Sequence, residues 1–311
     1  MKPFFKRCLK LNEINERAHN DAAAFIEEES QRYAHEIELL AQHLATEFGG
    51  HCLCMLSGPS SAGKTTTAKL LTRNLAKLGV EAHTISMDDF YRGREQAPLL
   101  SNGHYDYEAL EALNLDELER CMRELINDGR TLLPQFDFIK GRPFDKMKEL
   151  KISQNAVVIF EGIHAINPYF EQHLPMQNLF KIFVNTVSPI INESKKLLAR
   201  REIRLTRRML RDERFRNSSV LNTLNMWGQV VRGENEYMFP FVDTVDYLID
   251  TTHAYEPCVF APLLLPLLHS LPDGHEYAGT TKRLIDTLSR FEHLPLDMMP
   301  KDALLREFVG E

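Results

Sequence analysis

The chain has 311 residues, of which 43% are hydrophobic and 26% charged, as is usual for a soluble globular protein. Its formal net charge of −7 argues against a protein that binds nucleic acid over most of its surface. Five cysteines without regular spacing, no apolar targeting segment and no apolar stretch long enough to cross a bilayer predict a soluble, cytoplasmic protein with reduced thiols.

The first predicted elements are helical. No Gly or Pro occurs between Asn12 and Phe48, and a helical face in this segment carries Tyr33, Ile37, Leu40 and Leu44. The pattern predicts one or two amphipathic helices that end at Gly49-Gly50 and pack on the rest of the chain.

A glycine-rich segment follows the short apolar strand Cys52 to Leu56. It reads Gly58-Pro59-Ser60-Ser61-Ala62-Gly63-Lys64-Thr65 and opens a helix that ends near Gly79. Glycine, four residues and then Gly-Lys-Thr is the phosphate-binding loop pattern, in which backbone N–H groups and the helix N-terminus hold a polyphosphate. We expect Lys64 to reach the terminal phosphates and Thr65 to bind magnesium. The full predicted nucleotide-binding set is Gly58, Ser60, Ser61, Ala62, Gly63, Lys64, Thr65 and Thr66.

Carboxylates follow two further predicted strands. Val80 to Met87 ends in Asp88-Asp89, and the buried run Ala156 to Phe160 ends in Glu161-Gly162. Because ligands gather at the carboxyl ends of parallel strands, Asp88 is placed for chemistry, although an Asp pair is also common in turns. Glu161 fits the Walker B position, which holds a metal or its bound water.

The intervening segments predict a loop, a helix and a hairpin. A polar loop spans Gln96 to Asp106, and a helix runs from Glu108 to Asp128 and ends at Gly129. Thr131 to Ile152 predicts a hairpin that projects from the sheet. Further strands are expected at Phe180 to Val184 and Tyr247 to Ile249. The tail from Pro257 is rich in Pro and Leu, then helical from Thr281 to Phe291.

Eight arginines stand between Arg200 and Arg216. Such a run is typical of a solvated helix face, and a nucleic-acid surface is another interpretation. Beside a phosphate loop, arginines on a mobile helix pair would instead clamp the phosphates during transfer.

These motifs resemble the uridine kinase and phosphoribulokinase family of P-loop kinases, and the bacterial uridine kinase-like nucleoside kinases in particular. The resemblance rests on the loop and on Ser86-Met87-Asp88-Asp89-Phe90-Tyr91, Phe160-Glu161-Gly162 and Arg204-Leu205-Thr206-Arg207-Arg208. It implies an α/β P-loop NTPase fold of the nucleoside/nucleotide kinase type, with a parallel five-stranded sheet flanked by helices, lid helices and a substrate hairpin. The expected units are an N-terminal helical extension (1–48), a kinase domain (49–255, hairpin 131–152, lid 200–217) and a C-terminal helical extension (256–311).

The resemblance also implies a reaction and its residues. It implies ATP, Mg²⁺ and transfer of the γ-phosphate to the 5′-hydroxyl of a ribonucleoside in nucleoside salvage. Asp88 matches the catalytic base, acting with Lys64 and Arg208, and Asp106 matches the acid that binds the ribose diol. The implied metal set is Thr65, Glu161 and Asp88, and the implied acceptor-binding set is Asp106, Tyr91, Phe136, Arg142, Arg204 and Arg211.

Two departures bear on the acceptor. Uridine–cytidine kinases usually place a Tyr and a His in the hairpin to bind the pyrimidine edge, whereas Phe136 and Gly141 stand at those positions here. A kinase of another sugar or sugar phosphate therefore stays open, as does a nucleotide-gated regulatory or RNA-binding protein. We expect ATP and a small-molecule acceptor as partners, with neither nucleic acid nor membrane, and leave homo-oligomerisation open.

Overall fold

The computed structural model describes residues 6–48, 52–101, 103–138, 140–174 and 179–310. Its strands are β1 Leu9–Lys10, β2 Cys52–Ser57, β3 Ala82–Ser86, β4 Arg130–Leu133, β5 Phe136–Asp137, β6 Arg142–Pro143, β7 Lys148–Lys151, β8 Val157–Glu161, β9 Leu179–Asn185, β10 Ile190–Asn192, β11 Lys195–Leu198 and β12 Tyr247–Asp250. Its helices are α1 Leu11–Asn20, α2 Ala22–Glu47, α3 Lys64–Lys77, α4 Leu115–Asp128, α5 Pro168–His173, α6 Arg200–Phe215, α7 Val220–Tyr237, α8 Glu256–His269, α9 Ala278–Leu288 and α10 Arg306–Val309.

A parallel five-stranded sheet forms the centre of the fold, in the order β12-β9-β2-β8-β3. On the central strand β2, Leu53 is paired with Val158 of β8 on one side and Leu179 of β9 on the other. Helices cover both faces, which explains why β2 and β8 are apolar at nearly every position. The predicted α/β fold with a five-stranded parallel sheet is confirmed.

The N-terminal segment packs on the sheet through α2. Ile37, Leu40 and Leu44 are completely buried in the same core as Leu71 and Leu75 of α3. The two helices fit the predicted pattern, and the predicted end at Gly49-Gly50 lies outside the described residues. Strand β1 was not predicted; it pairs with β10, which also pairs with β11. Strands of two to four residues are too short to show a period.

Helix α4 begins later than predicted. Its expected start at Glu108 is wrong, because Leu115 opens the helix after a short 3₁₀ turn at Leu110–Ala112. The residues just before Leu115 are extended instead, because the Asn114 N–H donates to the Phe90 carbonyl at 2.8 Å and the Ala112 carbonyl accepts from the Arg92 N–H at 2.9 Å. Long-range backbone bonds therefore prevail over local helical pattern. The predicted end at Gly129 is confirmed, in the left-handed conformation.

The structure contains the predicted hairpin and a helix in the tail close to the predicted one. Strands β4 and β7 pair, as do β5 and β6 beyond them, so the segment from 130 to 151 is one long hairpin. In the tail, α9 runs over Ala278–Leu288, three residues earlier than predicted. Among the described residues, no helix is both long and apolar enough to span a membrane.

The Pro-rich tail contains a helix that the sequence reading missed. Helix α8 carries Pro262 and Pro266 in its interior, where each lacks the N–H of the helical ladder. Pro262 thus leaves the Cys258 carbonyl free, and that carbonyl accepts from Leu294 N–H at 3.0 Å. Burial of the helix and this outside donor offset the lost bond.

Candidate active site

The glycine-rich loop joins the end of β2 to the start of α3. At Gly58 an added Cβ would lie 2.2 Å from the Val184 carbonyl oxygen, so only glycine fits between the two strands. The Lys64 ammonium folds back and donates to the Gly58 and Pro59 carbonyls at 2.8 and 3.4 Å. The Lys64 side chain therefore lies across the glycine-rich loop, an arrangement typical of the phosphate-loop motif.

The C-terminal segment lies against this loop. Thr66 donates to the Glu307 carboxylate from its N–H at 3.2 Å and from its hydroxyl at 2.6 Å. Leu304 packs on Gly63, where an added Cβ would lie 2.8 Å from its methyl group. The Glu307 carboxylate of α10 thus accepts from a backbone N–H in the first turn of α3. The first turn of a helix is the kind of position that binds anions.

Two acids stand at neighbouring strand ends beside the loop. Glu161 ends β8 and is in register with Ser86 of β3, and Asp88 follows in the 3₁₀ turn Met87–Phe90. Protein around the cleft limits the hydration of the Asp88 carboxyl and raises its pKa; Asp89 adds to the rise and Lys64 opposes it. Burial likewise raises the pKa of Glu161, with Asp88 adding and Lys64 opposing. The two acids repel each other's charge, and Lys64 attracts both.

This arrangement suits a hard divalent cation. The Thr65 hydroxyl donates to Glu161 at 3.4 Å, so two of the predicted metal ligands are brought together, and Asp88 is close enough to perturb Glu161. Oxygen ligands and unbalanced negative charge are what Mg²⁺ selects, with water completing its shell. Among the described residues no group of three or more His, Cys, Asp or Glu side chains is placed to hold a metal without such help. The metal set stays a prediction.

The arginines in the middle of α6 are buried rather than solvated. Arg204, which is 1% exposed, donates to both Glu234 oxygens at 2.5 and 2.7 Å and to the Ser60 carbonyl at 2.9 Å. Arg207 is paired with Glu256, and Arg208 donates to the Ser60 hydroxyl at 2.7 Å. The solvated-face interpretation is therefore wrong for the middle of the helix. The helix binds the phosphate loop directly.

A buried acid, Asp212, collects the arginines nearest the cleft. It is paired with Arg208 at 3.1 Å, Arg211 at 2.9 Å and Arg216 at 3.7 Å. Because one carboxylate serves three guanidinium groups, the cluster keeps an excess of positive charge facing the loop. The sequence reading did not single out Asp212, although its i+4 spacing from Arg208 was a usable signal.

A cavity of about 540 Å³ lies beyond Asp88, between the hairpin and α7. The rings of Tyr91 and Phe136 pack edge to face there, with centroids 5.9 Å apart. Two of the predicted acceptor residues are thus brought together. Arg142 is exposed on β6 and does not line the cavity, which instead receives Arg94 and Arg216.

Gly141 has a local reason to lack a side chain. Its φ is +65°, and an added Cβ would lie 2.4 Å from the Arg94 side chain. Arg94 crosses this point to donate to the Phe138 carbonyl at 2.8 Å, and its N–H donates to the Gly141 carbonyl at 2.9 Å. The arginine therefore takes the space of the histidine that the resemblance would place here.

Asp106 is buried and accepts hydrogen bonds from two residues that the sequence analysis missed. One carboxylate oxygen accepts from Arg232 at 2.8 Å and the other from the Tyr237 hydroxyl at 2.8 Å, both of α7. Although burial alone would raise the pKa of Asp106, these hydrogen bonds lower it below its usual value. Asp106 is thus a fixed anion, and its binding of a ribose diol stays a prediction.

Glu108 is a further residue that the sequence analysis missed. It lines the acceptor cavity, where burial raises the pKa of its carboxyl to about 7, with Glu234 and Asp88 adding to the rise and Arg208 opposing it. A carboxyl group that titrates near neutral pH at a cavity wall is typical of a functional site. Only its position two residues after Asp106 could have indicated it.

Comparison with known proteins supports this description. Residues 53–255, well over half of the chain, match the model of the Phosphoribulokinase / Uridine kinase family. The uridine kinase of Mycoplasma genitalium is 28% identical over 180 residues, covering 58% of this chain and 75% of that protein. Uridine kinase-like protein 5 of Arabidopsis thaliana is 25% identical over 196 residues, covering 62% of this chain and 38% of that protein, so the chain spans well under half of it. The phosphoribulokinase of Rhodobacter spheroides superposes with a TM-score of 0.39 and 16% identity, over 63% of this chain and 68% of that one.

Proposed function

This chain belongs to the Phosphoribulokinase / Uridine kinase family, and we propose that it transfers the γ-phosphoryl group of ATP to the 5′-hydroxyl of a ribonucleoside. The matched relatives are uridine kinases by name, at identities of 22–28% where the match covers the kinase region. That similarity supports a phosphotransferase with a small acceptor. The choice of a ribonucleoside rests on the site.

In the proposed reaction the acceptor oxygen bonds to the γ-phosphorus as the bond from that phosphorus to the β,γ-bridging oxygen breaks. Asp88 takes the hydroxyl proton, and ADP leaves. Lys64 and Arg208 offset the negative charge on the transferred group and the leaving oxygen. Thr65 and the carboxylates Glu161 and Asp88 would hold Mg²⁺, which would neutralise part of the negative charge of the phosphates.

One observation carries this proposal. A lysine-bearing phosphate loop faces two carboxylates, and an aromatic-lined cavity opens beside one of them. The Asp88 charge is near enough to Tyr91 to contribute to the raised pKa of that phenol, after burial as the main cause. A flat ring could pack against the Tyr91–Phe136 pair while a hydroxyl on its sugar reaches Asp88. An RNA-binding or purely regulatory protein would gain nothing from acids at this place.

A second acceptor class is favoured by the charge of the cavity. Arg92, Arg94 and Arg216 all contribute to its lining. Guanidinium groups recognise phosphate by paired hydrogen bonds. An acceptor that already carries a phosphate, such as a sugar phosphate, is therefore the alternative.

The test is ATP consumption with Mg²⁺ against a panel of ribonucleosides, free sugars and sugar phosphates. We expect turnover with at least one ribonucleoside, and its loss in Lys64→Ala. Lys69→Ala is the matched control, because it removes the same charge from the exposed side of the same helix. Turnover with sugar phosphates alone would select the alternative. A folded Lys64→Ala protein with the parental rate would overturn the loop assignment.

A further inference from the structure

A second cavity, of about 440 Å³, lies away from the acceptor site. It is enclosed by the residues before β1, the end of β9, the β10–β11 hairpin, the start of α6 and the end of α7. Its volume is in the range of small-molecule sites. The short three-stranded sheet and the N-terminal segment, which the proposed kinase reaction does not use, supply two of its walls.

The lining of this cavity is strongly basic. Five of its residues are cationic and none is acidic: Lys6, Lys196, Arg200, Arg201 and Arg204. Glu234 neutralises Arg204, and Arg201 donates to the uncharged Asn235. Within the part of the chain that the structure describes, no ion pair engages the remaining three cations. In a chain of net charge −7, such a local excess of positive charge attracts an anionic ligand.

Two buried side chains also lack partners at this cavity. Asn185 is 6% exposed, and its Oδ1 has no hydrogen bond among the described residues. Arg204 is 1% exposed, and its Nε is likewise unpaired. Buried polar atoms in native proteins are almost always hydrogen-bonded, so each unpaired one calls for a missing partner. One acceptor and one donor beside the cavity are therefore left unpaired.

We propose that this cavity binds a small phosphorylated metabolite, a sugar phosphate or a mononucleotide. Its phosphate would bind between Lys196, Arg200 and Arg201, and a hydroxyl or amino group would donate to Asn185. Phosphate is the anion that guanidinium groups bind best through paired hydrogen bonds. A polynucleotide is disfavoured, because a protein of net charge −7 repels an extended polyanion outside such basic pockets.

The site is connected to the phosphate loop through a single ion pair. Arg204 lines the cavity and donates to the Ser60 carbonyl, while its partner Glu234 accepts from Ser60 N–H at 3.1 Å. A ligand that contacts Arg204 therefore acts on the loop that holds the nucleotide. Coupling of this kind is reciprocal, so nucleotide and metabolite change each other's affinity by the same factor.

The experiment measures binding of ribose 5-phosphate by calorimetry in Lys64→Ala protein, so that phosphate binding in the nucleotide loop is weakened. Lys196→Ala and Arg200→Ala remove exposed cationic side chains that line the cavity, and both should fold. Lys195→Ala is the control, because Lys195 directly precedes Lys196 in β11 and its exposed side chain does not line the cavity. Ribose and a single-stranded RNA oligomer complete the set of probes.

We expect ribose 5-phosphate to bind, ribose not to bind, and each lining variant to weaken binding by about tenfold, as the loss of one charged hydrogen bond predicts. Lys195→Ala should change the affinity less than about twofold. Equal losses in all three variants, or no binding in the Lys64→Ala background, would refute the site. Tighter, steeply salt-dependent binding of the RNA oligomer would replace it with a nucleic-acid surface. Binding in the acceptor cavity instead would leave both lining variants at the parental affinity, which would also refute the site. The assay measures binding alone, so a failure of the proposed kinase activity would not by itself overturn the site.

Discussion

Asp88 and Asp89 are adjacent carboxylates with different surroundings. Asp88 opens into the cleft beside Lys64, whereas Asp89 accepts from Phe136 N–H at 3.1 Å and so holds the hairpin. Asp88→Asn keeps the shape of the side chain but cannot take a proton. General-base catalysis contributes about 10²–10⁴-fold, so kcat should fall by that order while ATP affinity holds.

Asp89→Asn is the matched control, because the amide oxygen can still accept from Phe136. We expect it to lower kcat by less than about tenfold. Steady-state kinetics with ATP titrations separate the two effects. Equal losses from both substitutions would mean that Asp88 shapes the cleft instead of acting as a base, and loss of ATP binding alone would make it chiefly a metal ligand.

Glu108 predicts a pH dependence of stability. Its pKa rises from 4.5 to about 7 on folding, so the folded state retains a proton that the unfolded state releases between those values. Its contribution to stability is therefore present below about pH 4.5 and is lost as the pH rises through about 7. Glu108→Gln carries no titrating group, so the melting temperature of this variant relative to the parent should increase by a few degrees between pH 5 and pH 8.

Glu111→Gln is the control for this measurement, since Glu111 is exposed three residues further along the same segment. Its melting temperature should keep a constant offset from the parent across the same range. Parallel curves for the Glu108 variant would show that the carboxyl does not titrate near neutral pH in the folded protein.

At the scale of elements, the C-terminal helix α10 bears on nucleotide binding. Glu307 occupies the Thr66 N–H and hydroxyl, in the turn of α3 that the loop motif assigns to phosphates. A nucleotide must displace this carboxylate and overcome its repulsion. Glu307→Gln should therefore bind ADP more tightly, by about tenfold if one charged hydrogen bond is relieved.

The measurement is titration of ADP and Mg²⁺ by calorimetry, with Glu292→Gln as the control at an exposed site of the same tail. Unchanged affinity in the control and tighter binding in Glu307→Gln are the expected pair of results. Weaker binding in Glu307→Gln would mean that the carboxylate helps to hold the nucleotide.

Elements with a strong local pattern could be predicted from the sequence, and elements held by distant contacts could not. The strand–loop–helix around Lys64 has its own glycines and apolar period, and it forms as expected. The start of α4 was misplaced because backbone bonds to Phe90 and Arg92 keep the preceding segment extended. Helix α8 was missed because the Leu294 N–H that compensates Pro262 is distant in sequence.

The same distinction applies to the site. Lys64 and Glu161 follow from motifs and stand where the motifs place them. Arg232 and Tyr237 have no motif, and only the packing of α7 brings them to Asp106. Burial of the α6 arginines was equally invisible, since their partners Glu234 and Glu256 lie 30 and 49 residues away.

At the scale of the whole molecule, the acceptor cavity draws on five parts of the chain. The segment after β3, the segment before α4, the hairpin, the end of the lid and α7 each contribute to its lining. A base placed there would meet the rings of Tyr91 and Phe136 but neither a hairpin tyrosine hydroxyl nor a histidine. Its sugar would lie toward Asp106, which α7 orients through Arg232 and Tyr237. The Asp106 Oδ1 also accepts from Glu108 N–H at 3.2 Å, so the lone pair left for a sugar hydroxyl is on Oδ2.

Selectivity should therefore follow the sugar more than the base. Stacking on an aromatic ring does not depend strongly on which base is bound, and it contributes about 1–3 kcal/mol per base. A site that binds a group by hydrogen bonds rejects analogues without it by up to about 10⁴–10⁵-fold, but Phe136 and Gly141 cannot impose that penalty on a base. We expect uridine, cytidine and adenosine to differ by less than about tenfold in kcat/KM, and 2′-deoxyuridine to fall about 10–100-fold below uridine.

The matched variant is Phe136→Tyr, which restores the hydroxyl of the related uridine–cytidine kinases without removing the ring. If the missing hydroxyl is the cause of weak base selection, this variant should favour pyrimidine over purine ribosides more than the parent does. Phe144→Tyr adds the same hydroxyl to an exposed ring of the same hairpin that does not line the cavity, and it should leave the ratio unchanged. A parent enzyme that already prefers one base by several hundredfold would contradict this account, because some other group, with Arg94 the first to test, would then be binding the base edge.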